Sequence, residues 1–558
     1  MDQELPKVTE RYSAKEIRSF YDAGYWSSQT LLDVVDAWAA ARPDEIFLTD
    51  STTSLTFGAL RERAYRTAAG LARAGITPGD RVVIQLPNWT DFVIAVVAVA
   101  RCRAIVVPIM PIYRHDEVRY ILQHSGARAV ITCDGFGGFR FAAMYDELQG
   151  DCPALGAVYM ARASEPNGEA QPISSLLVDG PFDDIIAELG PGPGADDGHL
   201  IIYTSGTTAR PKGCFHTWNT VAFSVRVISQ NLGCGKSDVA FGPSPVTHGT
   251  GYMVSVLIPL FTGGKSHLME AWDPAEALDR IAEHGCTTAV TATPFLQMLL
   301  DAYDPDLHDV GSLRLWVAAG PPIPASVLER SRSALPSLEV LSLYGRSENF
   351  LTTMCNTGDD PELSTTSDGC APAGIEIAAI DPDGNPVPPG EEGDLCYKGP
   401  GHMLEYFRQP GLTAEIFTND GFSRSGDLGT INQAGYLRVT GRLKDIIIRG
   451  GMNISAVEVE NLLLSHPAVQ NAAVVAMPDP RLGEKACAYI VPAEGAKPSL
   501  DDLASYLREE HDFAIQKLPE RVELVDALPM TATGKVQKHL LRADVAKKLS
   551  GDPAGGNL

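Results

Sequence analysis

The sequence predicts an α/β protein in which a large N-terminal domain of α/β subdomains and a β-barrel precedes a smaller α+β C-terminal domain. Three observations predict this class. The chain has 558 residues, whereas a single hydrophobic core stops growing at about 250–300 residues, so we expect at least two domains. Strand-like and helix-like segments alternate from residue 81 to residue 134, which is typical of βαβ units in a parallel sheet. The composition changes near residue 370 and again near residue 441.

Periodicity predicts the elements of the N-terminal part in order. Apolar residues recur on one helical face over 30–41, and a second helix over 56–75 has its stop signal at Gly75. Residues 81–86 form a β-branched run between two turn dipeptides, which predicts a buried strand. A helix and three strands complete this part: 91–102, 104–110, 127–134 and 200–203.

Residues 189–198 form a stretch rich in Pro and Gly that imitates a dinucleotide-binding fingerprint. Gly190, Gly192 and Ala195 have the spacing of G-x-G-x-x-A. That fingerprint requires a helix to begin here, but the stretch contains two prolines and is followed by a predicted strand. We therefore interpret it as a loop.

The C-terminal part has a different texture. Beyond residue 370, short strands with turn signals are typical of a β-barrel or a meander. Beyond residue 440, the segments form an α+β unit of ordinary domain size. Its predicted elements are a helix at 456–464, strands at 469–477 and 485–492, a helix at 500–510 and a strand at 521–528. We place the two domains at residues 1–440 and 441–558.

The charge balance excludes some functions before any motif is considered. Lys and Arg total 45 against 70 Asp and Glu, a formal net charge of −25. A surface this acidic repels phosphate backbones and anionic lipids, so we expect no nucleic-acid partner. The longest apolar run, 92–100, is far shorter than the roughly 20 residues that cross a bilayer, so we expect no stable membrane insertion.

Cysteine usage and the N-terminus indicate the compartment. The ten cysteines are scattered, with no C-x-x-C pair and no Cys/His cluster of zinc spacing. We interpret them as buried or incidental thiols in a reducing compartment. The N-terminus is polar and of mixed charge, unlike a signal peptide. We expect a soluble, cytoplasmic protein.

Residues 203–213, YTSGTTARPKG, carry the clearest chemistry. A predicted buried strand is followed by four hydroxyl side chains, one glycine and one lysine: Thr204, Ser205, Thr207, Thr208, Gly206 and Lys212. Hydroxyls and backbone N–H groups can wrap phosphate oxygens, and lysine adds a compact positive charge. The segment is not a Walker A loop, because Pro211 precedes the lysine where that motif requires glycine. A solvated surface turn is the alternative.

This segment resembles the phosphate loop of the adenylate-forming superfamily, which includes acyl-CoA synthetases, stand-alone adenylating enzymes, luciferases and peptide-synthetase adenylation domains. Four further segments resemble family motifs in the family's order: LYGRSE at 343–348, SGDL at 425–428, GRLKDIIIRGGMNIS at 441–455 and LPMTATGKVQK at 528–538. The resemblance spans essentially the whole chain. Residues 86–122 look like the branch of short/medium-chain and cyclohexanecarboxylate-type CoA ligases.

The resemblance implies roles in nucleotide binding and catalysis. The loop residues Thr204, Ser205, Gly206, Thr207, Thr208 and Lys212 would hold the ATP phosphates. Gly320, Pro321 and Pro322 would border the adenine through their backbone, and Tyr344 would flank it. The remaining implied contacts are Ser347 to the α-phosphate, Glu348 to Mg²⁺, Asp427 to the ribose hydroxyls, and Arg442 to ribose or phosphate. Lys535 would bridge the acyl carboxylate and the α-phosphate, so Lys535, Glu348, Lys212 and Thr204 form the expected catalytic set.

The resemblance also implies a moving C-terminal domain. Lys444 occupies the family's hinge position, and the domain would rotate between an adenylating pose and a thioester-forming pose. In the second pose, the loop at Gly450 and Gly451 would line the tunnel for the pantetheine arm of CoA. Adjacent glycines permit close backbone approach to a ligand, and a simple hairpin turn is the alternative.

A third set of residues would line the acid pocket: His248, Gly249, Thr250, Ala319, Gly345, Arg346 and Phe350. We assign His248 no acid–base role. Arg346 departs from the family pattern, which is usually small, apolar or amide-bearing here. We hypothesise that its charge recognises a second carboxylate or a polar ring substituent. Pairing with a nearby acid or an ATP phosphate is the alternative.

Adenylation brings a carboxylate and a triphosphate into contact, which calls for a divalent ion and positioned Lys or Arg. The function we predict is an ATP-dependent acid:CoA ligase acting through acyl-AMP on a medium-sized alicyclic, aromatic or short acyl acid. Its ligands would be ATP, Mg²⁺ and CoA, and the resemblance allows a homodimer. The alternatives are a stand-alone adenylate-forming ligase that transfers the acyl group to an amine or a carrier protein, and a non-catalytic binding protein.

Overall fold

The computed structural model describes residues 5–204, 210–320, 323–511, 513–530 and 536–549. Among these residues, two eight-stranded sheets, a four-stranded sheet and a five-stranded sheet form the framework, together with a two-stranded ribbon, Gly135–Phe136 with Phe139–Arg140. The fold is therefore mixed α/β, as predicted, with its large sheets in the N-terminal part and a separate sheet near the C-terminus.

The first large sheet carries the ends of the predicted phosphate loop. In spatial order its strands are Glu405–Tyr406, Gly213–Thr217, Gly198–Tyr203, Ile105–Pro108, Arg81–Ile84, Ala129–Cys133, Ala157–Ala161 and Gln171–Pro172. Pairing is antiparallel among the first three strands and parallel from there onward. The parallel strands are buried on both faces, which explains their continuous apolar runs.

The second large sheet carries the predicted adenine side of the site. Its strands are Thr353–Met354, Glu339–Tyr344, Leu315–Ala319, Thr288–Thr291, Val239–Gly242, Lys265–Leu268, Ile46–Thr49 and Ser54–Thr56. The six central strands are parallel, and the two edge strands pair antiparallel with their neighbours. Ala319 and Tyr344 end adjacent strands, so the segments that follow them meet at one edge of the sheet.

Helices cover the sheets and connect their strands. The α-helices that begin before residue 300 are Val8–Arg11, Ala14–Asp22, Leu31–Ala41, Phe57–Arg73, Thr90–Arg101, His115–Ser125, Phe141–Gln149, Phe182–Leu189, Trp218–Asn231, Gly249–Gly251, Ile258–Thr262, Pro274–His284 and Thr293–Ala302. Those that follow are Ala325–Ala334, Leu363–Thr366, Pro410–Ile416, Ala456–Leu463, Leu500–His511 and Lys538–Leu549. Short 3₁₀ turns lie at Ile173–Leu176, Leu443–Asp445 and Ile515–Lys517, and Tyr252–Leu257 is a π-helix.

Local signals explain where several of these elements begin and end. Thr30 caps its helix by accepting a hydrogen bond from the Asp33 amide. Gly75 has φ +94°, which ends the second predicted helix. The helix Thr90–Arg101 is buried along its whole length, as its lack of a polar face requires. The stretch 189–198 joins a helix to the strand Gly198–Tyr203, so the loop interpretation is confirmed.

The C-terminal third contains two smaller sheets. The first is an antiparallel meander of Glu376–Ile380, Glu392–Lys398, Ser423–Ile431 and Leu437–Arg442. The second is built from Met452–Ser455, Ile446–Arg449, Gly483–Pro492, Val469–Asp479 and Arg521–Leu524. This last sheet has its own apolar clusters on both faces, formed only by residues beyond 446. In the part of the chain that the structure describes, we find no helix of the length and apolarity needed to span a bilayer.

Candidate active site

The base of the predicted phosphate loop is closed by two residues at the ends of a strand pair. The Thr204 amide donates to the Lys212 carbonyl at 2.9 Å, and the Lys212 amide donates to Thr204 Oγ1 at 3.3 Å. Both residues are half-buried. The structure therefore places Thr204 and Lys212 together at the base of the loop.

Seven of the predicted site residues lie outside the described ranges: Ser205, Gly206, Thr207, Thr208, Pro321, Pro322 and Lys535. Their roles stay predictions. The structure describes the chain up to Met530 and again from Val536: these two residues form an antiparallel bridge, and the Gln537 amide donates to the Pro529 carbonyl at 2.7 Å.

A tight turn over residues 345–350 follows the strand that ends at Tyr344. The Phe350 amide donates to the Arg346 carbonyl at 2.6 Å, and Phe350 has φ +53°. A Cβ at Gly345 would lie 2.0 Å from the Phe350 carbonyl oxygen, so only glycine allows the turn to close. Arg346, Ser347 and Glu348 are thus held close together in one tight turn.

Glu348 is a buried carboxylate held by two donors. The Tyr406 hydroxyl donates to Glu348 Oε1 at 2.6 Å, and Arg346 Nη2 donates to the same oxygen at 3.1 Å. Burial raises the pKa of Glu348, but the guanidinium of Arg346 and the Tyr406 hydroxyl outweigh it, so that pKa lies below its usual value. Glu348 is therefore charged at neutral pH.

This charged carboxylate fits a magnesium site. Mg²⁺ is commonly held by one or two carboxylates together with substrate phosphates. Glu348 lies near the base of the predicted phosphate loop, because Tyr406 contacts both Glu348 and Lys212. Among the described residues, no group of three or more His, Cys, Asp or Glu side chains could by itself hold a metal ion.

Asp427 is the second buried carboxylate of the site. Arg442 stands opposite it in the meander and places Nε 2.9 Å from Asp427 Oδ1. The Tyr344 hydroxyl donates to Asp427 Oδ2 at 2.6 Å. Burial and the Asp427 charge raise the pKa of Tyr344 well above its usual value, so its hydroxyl remains a donor. The structure thus brings Tyr344, Asp427 and Arg442 together, as the resemblance implied.

The predicted acid-pocket residues line one cavity of about 100 Å³. All seven contribute, together with Gly320 and Ser347 from the predicted nucleotide set: His248, Gly249, Thr250, Ala319, Gly345, Arg346 and Phe350. The apolar walls are formed by residues outside the predicted set: Ile228, Pro245, Met253, Val254, Val290, Ala292, Phe295 and Leu343. His248 Nδ1 accepts a hydrogen bond from the Thr250 amide at 3.3 Å, in agreement with a lining role.

Arg346 pairs with a nearby acid, which is the alternative to substrate recognition given above. Its guanidinium pairs with Glu348 at 3.1 Å, with 20% of the Arg346 side chain and 5% of the Glu348 side chain exposed. It also borders the cavity. The ion pair is an observation of the structure, and recognition of a substrate carboxylate stays a hypothesis.

Sequence reasoning missed two residues of the site, His216 and Tyr406. His216 Nε2 lies 2.8 Å from the Ser347 carbonyl, and its ring lies 4.6 Å from that of Phe350. Burial lowers the pKa of His216 to about 4, so the neutral ring donates to that carbonyl and supports the turn. Neither residue lies in one of the five motif segments named above, and each contacts the turn only through tertiary packing.

The predicted hinge is a short 3₁₀ turn, Leu443–Asp445. Arg542, on the last helix, places Nη2 2.5 Å from Asp445 Oδ1 and donates to the Lys444 carbonyl at 3.3 Å. On the other side of the turn, the Ser455 hydroxyl donates to the Thr440 carbonyl at 2.7 Å. The turn is therefore bonded to the C-terminal helix.

Gly450 and Gly451 form the two-residue loop of a β-hairpin between Arg449 and Met452. Their φ values are +58° and +88°, the left-handed region that a type I′ turn needs at both central positions. The hairpin alternative is thus what the structure shows, and contact with a pantetheine arm stays a prediction.

Two family models match the chain: AMP-binding enzyme over residues 35–407, and AMP-binding enzyme C-terminal domain over residues 458–535. The medium-chain fatty-acid–CoA ligase of Escherichia coli is 33% identical over 549 residues, which cover 98% of this chain and 96% of that protein. The 2,3-dihydroxybenzoate-AMP ligase of Bacillus subtilis is 32% identical over 94% of this chain and 95% of its own length.

Two solved structures have a fold similar to that of this chain. An anthranilate CoA ligase in complex with anthranoyl-AMP has a TM-score of 0.82 at 25% identity and covers 94% of this chain and 98% of its own. ATP-bound MatB from Rhodopseudomonas palustris has a TM-score of 0.80 at 26% identity and covers 93% of this chain and 100% of its own. The chain therefore belongs to the AMP-binding family of adenylate-forming ligases.

Proposed function

We propose that the protein is an ATP-dependent carboxylic acid:CoA ligase that forms an acyl-AMP and then a thioester. The observation that carries the proposal is that one turn, residues 345–350, contributes to both the acid cavity and the expected nucleotide site. Gly345, Arg346, Ser347 and Phe350 of this turn line the cavity, and the same turn bears the charged Glu348. A carboxylic acid in the cavity would therefore present its carboxylate beside the α-phosphate of ATP, and such positioning lowers the barrier of a two-substrate step.

In the first half-reaction, a carboxylate oxygen bonds to the α-phosphorus while the bond from that phosphorus to its bridging oxygen breaks, releasing pyrophosphate. Both reactants are anions, so fixed positive charge must offset their repulsion. We assign this task to Lys212 and Lys535, with Thr204 and the hydroxyls of the phosphate loop as donors. Mg²⁺ held by Glu348 would neutralise phosphate charge when bound.

The ribose side of the nucleotide would be oriented by Asp427. A carboxylate offers about four lone-pair positions, and Tyr344 and Arg442 occupy one on each oxygen. Two acceptor positions therefore remain for the two ribose hydroxyls. The existing contacts hold the carboxylate in one orientation before the nucleotide arrives.

The cavity supports a compact acid with a hydrocarbon body. This cavity has about 100 Å³, roughly two thirds of the ~150 Å³ cavity that accommodates benzene in an engineered protein, so one ring or a short chain is the largest body that it can take, and a ring requires its walls to move slightly. Most of its walls are apolar, with Met253, Val254, Val290 and Phe295 among them. We therefore propose an aromatic, alicyclic or short acyl acid as the substrate.

In the second half-reaction, the thiol of CoA would lose its proton to water, its sulfur would bond to the acyl carbonyl carbon, and AMP would leave with the electrons of the broken C–O bond. We propose that the segment 441–558 rotates about Lys444 for this step, which would bring the hairpin at Gly450 and Gly451 to the acyl group. The separate apolar clusters of the C-terminal sheet, formed by residues beyond 446, support a division close to Lys444, which follows the meander strand Leu437–Arg442.

The second candidate is a ligase that transfers the acyl group to an amine or a carrier protein. The observation that favours it is the similarity to relatives with other products: the 2,3-dihydroxybenzoate-AMP ligase is 32% identical, only one percentage point below the fatty-acid–CoA ligase at 33%. The first half-reaction is the same in both candidates, and only the acyl acceptor differs.

The test separates the two half-reactions. A panel of carboxylic acids is screened for acid-dependent exchange between ATP and pyrophosphate, and active acids are then incubated with CoA, simple amines or a carrier protein, with products identified by mass spectrometry. We expect acyl-CoA as the product with compact aromatic or short acids. Lys535→Ala should abolish it, whereas Lys497→Ala, which removes an exposed lysine of the same domain, should not. Acyl-AMP that accumulates with CoA and is consumed by an amine would refute the CoA step.

We also propose a cytoplasmic location. All ten cysteines are free thiols in the structure, which is typical of a reducing compartment. Cell fractionation followed by immunodetection tests the proposal, and recovery of the protein in a membrane or secreted fraction would contradict it.

A further inference from the structure

Tyr406 lies in a short strand that packs beside the strand following the predicted phosphate loop, and its side chain contacts Glu348 in the turn at 345–350. The strand Glu405–Tyr406 pairs with the segment that begins directly after Lys212, so that Tyr406 stands opposite Cys214. On either side of it, the Leu404 amide donates to the Phe215 carbonyl at 2.8 Å and the Phe407 amide donates to the Gly213 carbonyl at 2.7 Å. Tyr406 is 3% exposed, so its position is set by packing on all sides.

The side chain of Tyr406 touches two groups of opposite charge. Its hydroxyl donates to Glu348 Oε1 at 2.6 Å, while the Nζ of Lys212 lies 4.6 Å from the centre of its ring. A short hydrogen bond to a carboxylate is charge-assisted, and an ammonium over a phenol ring is attracted by the ring's electron-rich face. One side chain thus contacts both the phosphate-loop lysine and the expected metal ligand.

The donors around Glu348 distinguish its two oxygens. Tyr406 and Arg346 both donate to Oε1, and the structure shows no donor side chain from another described residue on Oε2. The same segment also holds the Glu348 backbone, because the Met403 amide donates to its carbonyl at 2.7 Å. Glu348 is therefore held at its backbone and at one carboxylate oxygen, and its other oxygen has no donor side chain among the described residues.

We propose that Tyr406 is a positioning residue that orients Glu348 toward the metal ion of the metal–ATP complex and holds Lys212 beside it. The proposal rests on the nucleotide site of the proposed function, but on neither the acid nor CoA. Partners that hold a metal ligand in place affect metal affinity by about 10- to 100-fold when they are removed. The hydroxyl and the ring have separate tasks, so two substitutions can separate them.

The test measures binding rather than turnover. ATP affinity is measured by equilibrium dialysis, with excess chelator and across a Mn²⁺ titration, and bound Mn²⁺ is followed by electron paramagnetic resonance. Tyr406→Phe keeps the ring and removes the hydroxyl. We expect the Mn²⁺ concentration at half-saturation to rise about tenfold, with metal-free ATP affinity unchanged. Tyr406→Leu removes the ring as well, and we expect it to weaken metal-free ATP binding in addition.

Tyr489→Phe is the matched control. Tyr489 is another fully buried tyrosine whose hydroxyl donates to a carboxylate, Asp544 Oδ2, at the same 2.6 Å, but it lies in the C-terminal sheet. Its Mn²⁺ titration should match that of the unmodified protein. If Tyr406→Phe gives the same titration as Tyr489→Phe, or loses ATP affinity equally with and without metal, the proposal is wrong.

A second measurement tests that the effect passes through Glu348. In a Glu348→Gln background, Tyr406→Phe should cause less than a twofold further change in the Mn²⁺ half-saturation, because contacting residues are not additive. A full tenfold change there would overturn the proposal. No acid or CoA enters either experiment, so a failure of the acid:CoA ligase proposal is seen separately, as an absence of acyl-CoA in the screen.

Discussion

Replacement of Arg346 by methionine would break the ion pair on which the charge of Glu348 depends. Coulomb's law with an effective dielectric constant of about 20 gives roughly 5 kcal/mol of attraction across the 3.1 Å contact. Breaking a buried pair by removing one partner costs about 3–5 kcal/mol, because a charge stays buried without compensation. Since 20% of the Arg346 side chain is exposed, we expect a loss near the lower end, about 3 kcal/mol.

The free energy of unfolding is measured by urea titration with tryptophan fluorescence. All six tryptophans lie between residues 26 and 316, within the predicted N-terminal domain of residues 1–440 that also contains the pair, so the signal reports on the unfolding of that domain. Arg330→Met is the control, because Arg330 pairs with Asp301 where 49% and 63% of the two side chains are exposed. Exposed pairs contribute about 0–1 kcal/mol, so this variant should unfold almost as the unmodified protein does.

The decisive comparison is with the double variant Arg346→Met/Glu348→Gln. It removes both charges and should recover more than half of the stability lost in Arg346→Met, because no charge is left buried alone. The reasoning is refuted if Arg346→Met lies within about 0.5 kcal/mol of the unmodified protein, the scale of an ordinary surface substitution, or if the double variant is no more stable than the single one.

The same variant tests the hypothesis that Arg346 recognises a second carboxylate. If its charge serves Glu348, Arg346→Met lowers kcat/KM for mono- and dicarboxylic acids by the same factor. A fall confined to dicarboxylic acids would support recognition of the substrate instead.

Three further predictions concern the cavity, the ribose site and pH. Gly249→Leu should raise KM for the acid about tenfold and leave KM for ATP within twofold, because a Cβ there would already lie 3.0 Å from the Phe350 ring; equal changes in both constants would contradict this. Asp427→Asn should raise the Kd of ATP at least about tenfold, since hydrogen bonds to a charged acceptor are worth roughly 1.5–3 kcal/mol, and unchanged ATP binding by calorimetry would exclude the ribose role. Burial lowers the pKa of His199 to about 3 and that of His216 to about 4, from 6.5. The unfolded chain therefore binds protons that the folded chain does not, so the free energy of unfolding should fall as pH drops from 6.5 toward 4, by up to about 1.4 kcal/mol per pH unit for each histidine; urea midpoints that stay constant from pH 6.5 to 5 would contradict this.

Much of the fold follows from local sequence patterns. The helices Leu31–Ala41 and Phe57–Arg73 and the strand Arg81–Ile84 begin and end within a few residues of their predicted bounds, because periodicity, caps and turn residues act over one or two turns of chain. Two adjacent glycines are also a local signal for a hairpin turn, and the positive φ values of Gly450 and Gly451 show that turn. The pairing order of the strands was not predicted, since it depends on contacts between distant segments.

The candidate site likewise contains residues that could be predicted and residues that could not. The resemblance named seven residues for an acid pocket, and the structure places all seven around one cavity. It named neither His216 nor Tyr406, which contact the turn at 345–350 from strands that are far away in the chain. No spacing rule relates such residues to the turn, because only the packing of the sheets brings them together.

The sequence by itself determined the α/β class, the position of the family motifs and the residue types needed to handle two anionic substrates. Only the tertiary structure decided which partner each charge takes: Arg346 pairs with Glu348, Arg442 with Asp427, and Tyr406 lies between Lys212 and Glu348. The physical reason is that charge pairing and hydrogen bonding act over a few ångströms, and the fold alone sets distances on that scale between residues far apart in the chain.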